Sequence, residues 1–289
     1  MGPHIAPRAR LAAVLSGIFA LASLIPSRVG AVRPFVTDDA RIVDEGQLEI
    51  EMWPELVFAR GGSWFGYNVM GGVGLTPWLE ILAGGGAGVD HDGRFTAANP
   101  IVQPKLLLVR AQENGVPGLA LVAGVTLPWG RGEMHDDATG AFVLAPITSR
   151  LFHDWLQVHA NVGVVVARRA EIPVDGRRRS ARPFWGVGAD AGLGHEDVRL
   201  VLEIYAGDPF HALGPKLAFQ GGFRWLASDR VNFDLTAGAQ PLVEDERRVA
   251  GEWESWVQLG VRLVFDVFTD GPGDPQGGAG MVVVPRRRR

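Results

Sequence analysis

From Gln47 onward, the chain repeats one pattern of apolar and polar positions. About ten residues alternate between apolar side chains and polar side chains or glycine, and a turn signal then follows. In the last repeat, Val257 and Leu259 alternate with Gln258 and Arg262. A period of two predicts β-strands. Twelve such segments are predicted, at 47–59, 64–76, 78–89, 100–110, 118–128, 140–151, 154–167, 183–193, 197–206, 215–226, 230–240 and 252–267.

The predicted connections between these strands alternate in length. Those near 76–78, 152–154, 194–196 and 227–229 are tight, whereas those at 90–99, 129–139, 168–182, 207–214 and 241–251 are longer and more polar. The connections 60–63 and 111–117 depart from this trend. Short turns at one end and long loops at the other are typical of an outer-membrane β-barrel. An even strand number places both chain ends on the periplasmic side.

The alternation itself distinguishes a membrane barrel from a water-soluble β-sandwich or lipocalin-like barrel. A soluble domain directs its polar face outward and scatters lysines over it, but this chain has only Lys105 and Lys216, both on polar strand positions. Hydrocarbon requires a sheet that closes on itself, apolar outside and polar inside. The predicted fold class is therefore all-β, a transmembrane antiparallel β-barrel of about twelve strands. Tryptophans such as Trp64 and Trp256 are expected in an aromatic girdle near the loop ends.

The two ends of the chain lie outside this barrel. Arg8 and Arg10 precede an apolar stretch from Leu11 to Ile25 and small residues near Ala31, which is the layout of a secretory signal peptide. Residues 1–31 are predicted as that signal, 32–46 as a periplasmic leader or a plug, 47–268 as the barrel, and 269–289 as a disordered Gly/Pro/Arg tail. In the plug interpretation, Asp38 and Asp39 meet basic residues of the wall.

The composition of the chain excludes or disfavours several classes of function. With no Cys, a disulfide scaffold and Cys-ligated metal sites are excluded, and a net charge of −4 disfavours nucleic acid as a partner. Export and a membrane barrel predict the outer membrane of a Gram-negative-type cell. The expected partners are outer-membrane lipids, lipopolysaccharide, the outer-membrane assembly machinery and small-molecule solutes.

Three stretches carry a family resemblance. Pro34-Phe35-Val36-Thr37-Asp38-Asp39-Ala40, followed by Gly46-Gln47-Leu48-Glu49, resembles the opening of the outer-membrane transporter-like family named after the meta-pathway of phenol degradation. Lys105-Leu106 and Pro128-Trp129-Gly130 are similar to the family's Lys-Tyr and Pro-Thr-Gly, with the tyrosine and threonine replaced. The resemblance implies a barrel that passes small molecules, hydrophobic ones included.

The last strand is similar to the C-terminal signal that the assembly machinery reads. It presents a polar residue, a glycine two positions on, and hydrophobic residues at the fifth and seventh positions after the polar one: Gln258, Gly260, Leu263 and Phe265. A tail of 21 residues, 269–289, follows it, whereas such a signal usually closes the chain.

The inward strand positions mix charges of both signs. The predicted pore-lining residues are Glu49, Glu51, Glu80, Lys105, Arg199, Glu203, Lys216, Arg224, Asp234, Glu254 and Arg262. A ring of one sign would have indicated ion selectivity, and this mixture does not. Paired charges around a narrow aqueous path and a fully plugged bore both fit the pattern, and the first is favoured.

Three alternatives to a passive channel are a lipid hydrolase, a metal site and a closed barrel. A lipid hydrolase needs a serine beside a histidine, and Ser149, His153 and Ser255 offer no such arrangement in sequence. The acidic and histidine-containing loop stretches 90–92 and 135–137 are more typical of solvated loops than of a metal site. The predicted function is a passive channel or transporter-like barrel without catalysis, metal or cofactor. A closed structural or adhesive barrel without a pore is the alternative.

Overall fold

Twelve long strands close into one antiparallel barrel, and a thirteenth, short strand extends one of them. The computed structural model describes residues 35–60, 62–113, 115–136, 138–169, 179–194, 197–210, 217–244 and 247–268. The strands are β1 (Gln47–Ala59), β2 (Gly62–Thr76), β3 (Leu79–Val89), β4 (Phe95–Ala97), β5 (Ile101–Val109), β6 (Gly118–Thr126), β7 (Ala138–Leu151), β8 (Leu156–Arg169), β9 (Arg179–Gly192), β10 (Val198–Ala206), β11 (Ala218–Ser228), β12 (Val231–Glu244) and β13 (Arg247–Asp266).

The barrel closes by pairing its first and last strands. Each long strand pairs with its neighbour along the chain, and β13 pairs with β1 from Gln47↔Asp266 to Phe58↔Ser255. The closed, all-β antiparallel barrel of twelve strands is thus confirmed. A closed sheet leaves no unpaired edge, which is the condition for placing strands in hydrocarbon.

The short strand β4 is the outer end of β5. It pairs with β3 at Ala87↔Ala97, while β5 pairs with β3 at Gly84↔Ile101, so both continue the same side of β3. Pro100 lies between them and has no N–H to give to a ladder. The connection predicted at 90–99 is therefore partly strand, interrupted by a proline.

Several strands extend beyond the predicted bounds at the end with the long loops. The connection predicted at 241–251 is replaced by the paired ends of β12 and β13, and the one at 168–182 is shortened to the residues between β8 and β9. Strand ends that protrude into water no longer need an apolar outer face. The alternation that reveals strands in the sequence is absent there, which explains why the prediction stopped early.

The two faces of the wall differ as a membrane barrel requires. Outward residues along the strands are exposed and apolar, among them Val69, Leu121, Val143, Leu202 and Leu259. Inward positions bury Glu49, Lys105, Asp190, Arg224 and Arg262. No helix in the described part of the chain is long and apolar enough to cross a bilayer.

Two tryptophans expected in the girdle point inward instead. Trp256 is only 7% exposed and its Nε1 donates to Gln220 Oε1 at 2.9 Å. Trp64 packs against the same buried cluster, which also contains Val57 and Tyr205. Both tryptophans share the parity of the polar residues of their strands. An indole that finds a hydrogen-bond acceptor packs inside the barrel as readily as at the lipid interface.

Candidate functional site: the barrel lumen

A belt of ion pairs lines the half of the lumen nearest the tight turns. On β11, Arg224 Nε lies 2.6 Å from Asp234 Oδ1 of β12, and its Nη1 lies 3.4 Å from Asp190 Oδ2 of β9. Arg199 of β10 also pairs with Asp190. On the other side of β12, Arg262 of β13 pairs with Glu49 of β1. These pairs are almost fully buried, so they form two packed groups, one on β9–β12 and one on β13 and β1, rather than a free aqueous surface.

Residues 35–46 lie inside the barrel and follow its wall. The backbone N–H groups of Val36 and Thr37 donate to the carboxylate of Glu203 at 2.9 and 2.7 Å. Asp38 N donates to Asn161 Oδ1 at 2.8 Å, and Asn161 Nδ2 returns a bond to the Asp38 carbonyl at 2.7 Å. Wall side chains therefore hold the segment by its backbone, in place of strand pairing.

The segment continues past three further strands before it reaches β1. Ala40 N donates to Thr148 Oγ1 of β7 at 2.8 Å, and Val43 N lies 3.4 Å from Glu80 Oε2 of β3. Gly46 N donates to the Gly74 carbonyl at 2.9 Å, at the turn end of β2. The segment therefore enters from the end with the tight turns, which is the periplasmic end of such barrels.

Charged contacts reinforce this docking. Lys105 Nζ of β5 lies 2.9 Å from Asp38 Oδ1 and 3.6 Å from Asp39 Oδ1. Arg41 Nε lies 3.5 Å from Asp39 Oδ2, and Arg41 Nη2 lies 3.9 Å from Glu49 Oε2. Burial alone raises the pKa of the Asp39 carboxyl, but the charges of Arg41 and Lys105 outweigh that effect and hold this pKa below its ordinary value.

A small cavity separates the segment from the wall of β1, β3 and β5. Its volume is about 30 Å³, which is large enough to hold water. Polar and charged side chains dominate its lining: Asp38, Asp39, Arg41, Glu49, Glu51, Glu80, Gln103 and Lys105. Gln103 is 2% exposed, and its Oε1 accepts no hydrogen bond within the described part of the chain.

One side of the lumen is apolar. We call the apolar sector the buried cluster on β5–β9 formed by Ile101, Val122, Phe142, Leu144, Val165 and Phe184, which Met70 of β2 adjoins. Val36 packs against it from the docked segment, and Phe210 does so from the β10–β11 loop. The rings of Phe142 and Phe210 meet edge to face, with centroids 6.1 Å apart. The sequence pattern did not predict this sector, because a polar residue was expected at every inward position.

The other side of the lumen is rich in carboxylates. We call the acidic sector the inward carboxylates of β13, β1 and β3: Glu254, Glu55, Glu51, Glu49 and Glu80. Glu55 accepts from Asn68 Nδ2 and Gln258 Nε2, both at 2.9 Å, and Gln240 Nε2 donates to Glu254 at 2.7 Å. The sequence prediction included Glu254, Glu51, Glu49 and Glu80 as pore-lining residues.

The predicted site residues occupy the following places. Glu49, Glu51, Glu80, Lys105, Arg199, Glu203, Arg224, Asp234 and Arg262 are buried, and Glu254 is half-buried. Lys216, the predicted signal peptide 1–31 and the predicted disordered tail 269–289 lie outside the described residues. Thr148 and Gln103 also bind or face the docked segment. Thr148 lies on the inward parity of β7, a signal that its neutral side chain made easy to overlook.

The comparisons with known proteins agree with this geometry. A model of the family described as the MetA-pathway of phenol degradation matches residues 31–256. The chain belongs to this family. The family match begins just before the docked segment and runs into β13, so it covers the segment and nearly all of the wall.

Solved structures show the same architecture for this family member. An outer-membrane channel from Pseudomonas putida F1 matches with a TM-score of 0.53 at 12% identity, over 81% of this chain and 100% of that one. The KdgM porin in complex with disordered oligogalacturonate matches with a TM-score of 0.50 at 8% identity, over 75% and 99%. The barrel matches those of outer-membrane channels of Gram-negative bacteria. No curated protein matches the chain.

The residues of the assembly-signal prediction all lie on β13. Gln258 points inward toward Glu55, whereas Phe265 points outward and is exposed. Gly260 is buried, and Leu263 pairs with Ile50 of β1. Their recognition by the assembly machinery stays a prediction.

The same structure shows the surroundings of the residues considered for a lipid hydrolase or a metal site. Within the described residues, His159 of β8 contacts Thr148 Oγ1 at 3.0 Å rather than the adjacent Ser149, and no three His, Cys, Asp or Glu side chains converge on a metal position. His91 Nδ1 contacts Glu133, and His135 Nδ1 lies 2.8 Å from Asn99 Oδ1. These loop contacts connect neighbouring loops at the end with the long loops.

Proposed function

We propose that this protein is a passive outer-membrane conduit for small molecules, hydrophobic ones included, whose path runs through the barrel lumen. Residues 35–46 act as a plug that closes this path. The observation that carries the proposal is the way the segment is held: Glu203, Asn161, Thr148 and Lys105 bind it by side-chain contacts. Its departure would leave the hydrogen-bond ladders between the strands intact.

The lining of the lumen supports passage of molecules with an apolar part. The apolar sector offers Phe142, Val165 and Phe184 to a solute once Val36 has moved away. An apolar surface that makes no strong polar contacts allows a ligand to bind and to leave, as conduction requires. The ion-paired belt nearer the turns keeps the remainder of the bore polar.

A closed barrel without a pore is the second candidate, because the docked segment fills part of the lumen. The absence of Cys from the chain permits a direct test. Ala40 N lies 2.8 Å from Thr148 Oγ1, so the double variant Ala40→Cys/Thr148→Cys places two cysteines side by side, and mass spectrometry of the oxidised protein verifies that they form a disulfide.

The test records currents across planar bilayers. The oxidised double variant should be silent, and reduction should restore discrete openings. The single variant Ala40→Cys is the control, and reductant should leave its currents unchanged. Equal currents in the oxidised and reduced double variant would show that the path avoids the plug. Silence of both forms at high protein load would favour the closed structural barrel.

A further inference from the structure

The acidic sector concentrates one sign of charge along one side of the lumen. Within residues 252–266 of β13 and the whole of β1–β3, the described inward side chains include one cation, Arg262, against the five carboxylates of the sector. Arg262 pairs with Glu49. Lys105 of β5 also lies opposite Glu80 in the strand register, and Arg41 of the docked segment lies 3.9 Å from Glu49. Cations therefore adjoin the turn end of the sector, but the carboxylates outnumber them.

These carboxylates follow one another along the strands. Glu80 pairs with Gly74 near the turn end, and Glu51 lies opposite Arg262 in the register of β1 and β13. Glu55 is four residues farther along β1, opposite Gln258, and Glu254 is four residues beyond Gln258. Four strand residues correspond to about 13 Å. The sector therefore forms a stepped series that runs from the loop end to the turn end.

Glycines on β2 make room for the series. A Cβ at Gly66 would approach Glu55 Oε1 to 3.0 Å, and a Cβ at Gly72 would collide with Glu80 Oε1. Both carboxylates consequently lie against the wall where β2 has no side chain. Their position is therefore part of the packing of the wall, and Val43 of the docked segment lies in front of Glu80.

The cavity at the turn end of the series adds a second, independent observation. It is lined by five carboxylates, from Asp38, Asp39, Glu49, Glu51 and Glu80, against the two cations of Arg41 and Lys105. The buried Oε1 of Gln103 faces the same cavity and is an acceptor without a donor in the described residues. A buried acceptor without a donor, in a cavity with more carboxylates than cations, is satisfied by an N–H donor or a cation.

The opposite wall determines the remainder of such a ligand. In the order of the strands, the apolar sector on β5–β9 lies across the lumen from β13 and β1, whereas β3 is the direct neighbour of β5. Because the described acidic groups do not converge on a metal position, they suit a singly charged group that moves from one carboxylate to the next. A solute that satisfies both walls has an apolar body and one positive charge.

We propose that the lumen selects amphipathic organic cations, with the ammonium group on the acidic sector and the apolar body on the apolar sector. This inference rests on the proposed conduit function. Neutral apolar molecules would contact the apolar sector only, and anions would be repelled by the carboxylates of the acidic sector. The lumen is therefore a cation-preferring path despite its mixture of charges.

The experiment compares two probes with the same body and opposite charge. Phenethylammonium and 3-phenylpropionate are each placed on one side of a bilayer containing the mature wild-type chain, and their relative permeabilities are obtained from reversal potentials. The ammonium should permeate at least about fivefold better. The triple variant Glu51→Gln/Glu55→Gln/Glu254→Gln should lose most of this preference, and Glu254→Gln alone should lose part of it.

The control replaces two exposed carboxylates outside the lumen series, Asp92→Asn/Glu113→Gln, and should keep the wild-type ratio. Heat-dependent migration on gels verifies that each variant is a folded barrel. If the channel conducts but both probes permeate equally, the proposed cation selectivity is wrong, whereas the proposed conduit function is retained. If the wild-type chain and the reduced double-cysteine variant are both silent, the conduit fails and the selectivity fails with it.

Discussion

The two sides of this lumen stabilise their inward-facing side chains in different ways. The apolar sector buries Phe142 and Val165 against each other and against Phe210, as a soluble protein core does. The acidic sector holds buried and half-buried carboxylates in place with neutral amides and with the guanidinium groups of Arg262 and Arg41, against a β2 wall that has glycines at two positions. The comparison shows that a barrel interior need not be uniformly polar: only the outer face is constrained by lipid.

Removing the guanidinium of the acidic sector should have the largest effect. Arg262→Met leaves the buried Glu49 without its nearest cation, and breaking a buried ion pair costs about 3–5 kcal/mol. The measurement is the denaturant midpoint of unfolding in detergent. Arg230→Met is the control, because it breaks the half-exposed pair with Asp266 and should cost at most about 1 kcal/mol. If Glu49→Gln does not recover stability in the Arg262→Met background, the loss has another cause.

The apolar sector should respond to cavity formation. Phe142→Ala removes a buried ring from the cluster and should lower the free energy of unfolding by about 3–5 kcal/mol. Phe58→Ala removes a ring from the outward face, where the side chain is 44% exposed, and should cost much less. Equal losses in the two variants, measured by the same unfolding assay, would contradict a core-like interior.

The glycines of β2 permit a finer test. Gly66→Ala brings a Cβ to 2.9 Å from the Trp64 ring and 3.0 Å from Glu55 Oε1, so we expect a loss of about 1–3 kcal/mol and a reduced preference for cationic solutes. At Gly71 the nearest atom to a new Cβ is 3.9 Å away, so Gly71→Ala should be close to neutral. A harmless Gly66→Ala would show that Glu55 does not need this space.

The smallest expected effect is the pH response of the plug. The pKa of Asp39 is lowered in the docked segment, so its contribution to docking is present above the ordinary value of about 3.9 and is lost as pH falls through the lowered value. The part of the conductance that Asp39 controls, measured as the difference between the wild type and Asp39→Asn, should stay constant between about pH 5 and pH 8 and disappear only in stronger acid. Asp39→Asn should conduct more at neutral pH and lose this acid dependence. A transition near neutral pH in the wild type would point to a different group.

Much of the architecture was predictable from local pattern. Twelve strands follow from alternation, because lipid imposes an apolar residue at every second position wherever a strand is in hydrocarbon. The inward carboxylates Glu49, Glu51 and Glu80 were predictable for the same reason. The alternation is weak in Ala141-Phe142-Val143-Leu144-Ala145, where both parities are apolar, so the pattern could not assign Phe142 to the interior.

The docking of the plug was beyond sequence reasoning. A charged contact of Asp38 or Asp39 with the wall was expected in general terms, but the contact of Thr37 with Glu203 joins residues 166 positions apart. No local signal marks such a pair. The inward Trp64 and Trp256 were assigned to the girdle because both locations favour an indole with one polar edge.

By itself, the sequence determined that the chain forms a closed membrane barrel with tight turns at one end and long loops at the other, since periodicity and turn residues act locally along the chain. Only the tertiary structure decided where opposite charges meet, which wall becomes apolar and where residues 35–46 lie. These features depend on the register of strands that are distant in the chain. Closure of the barrel brings such strands face to face across a lumen that no single strand defines.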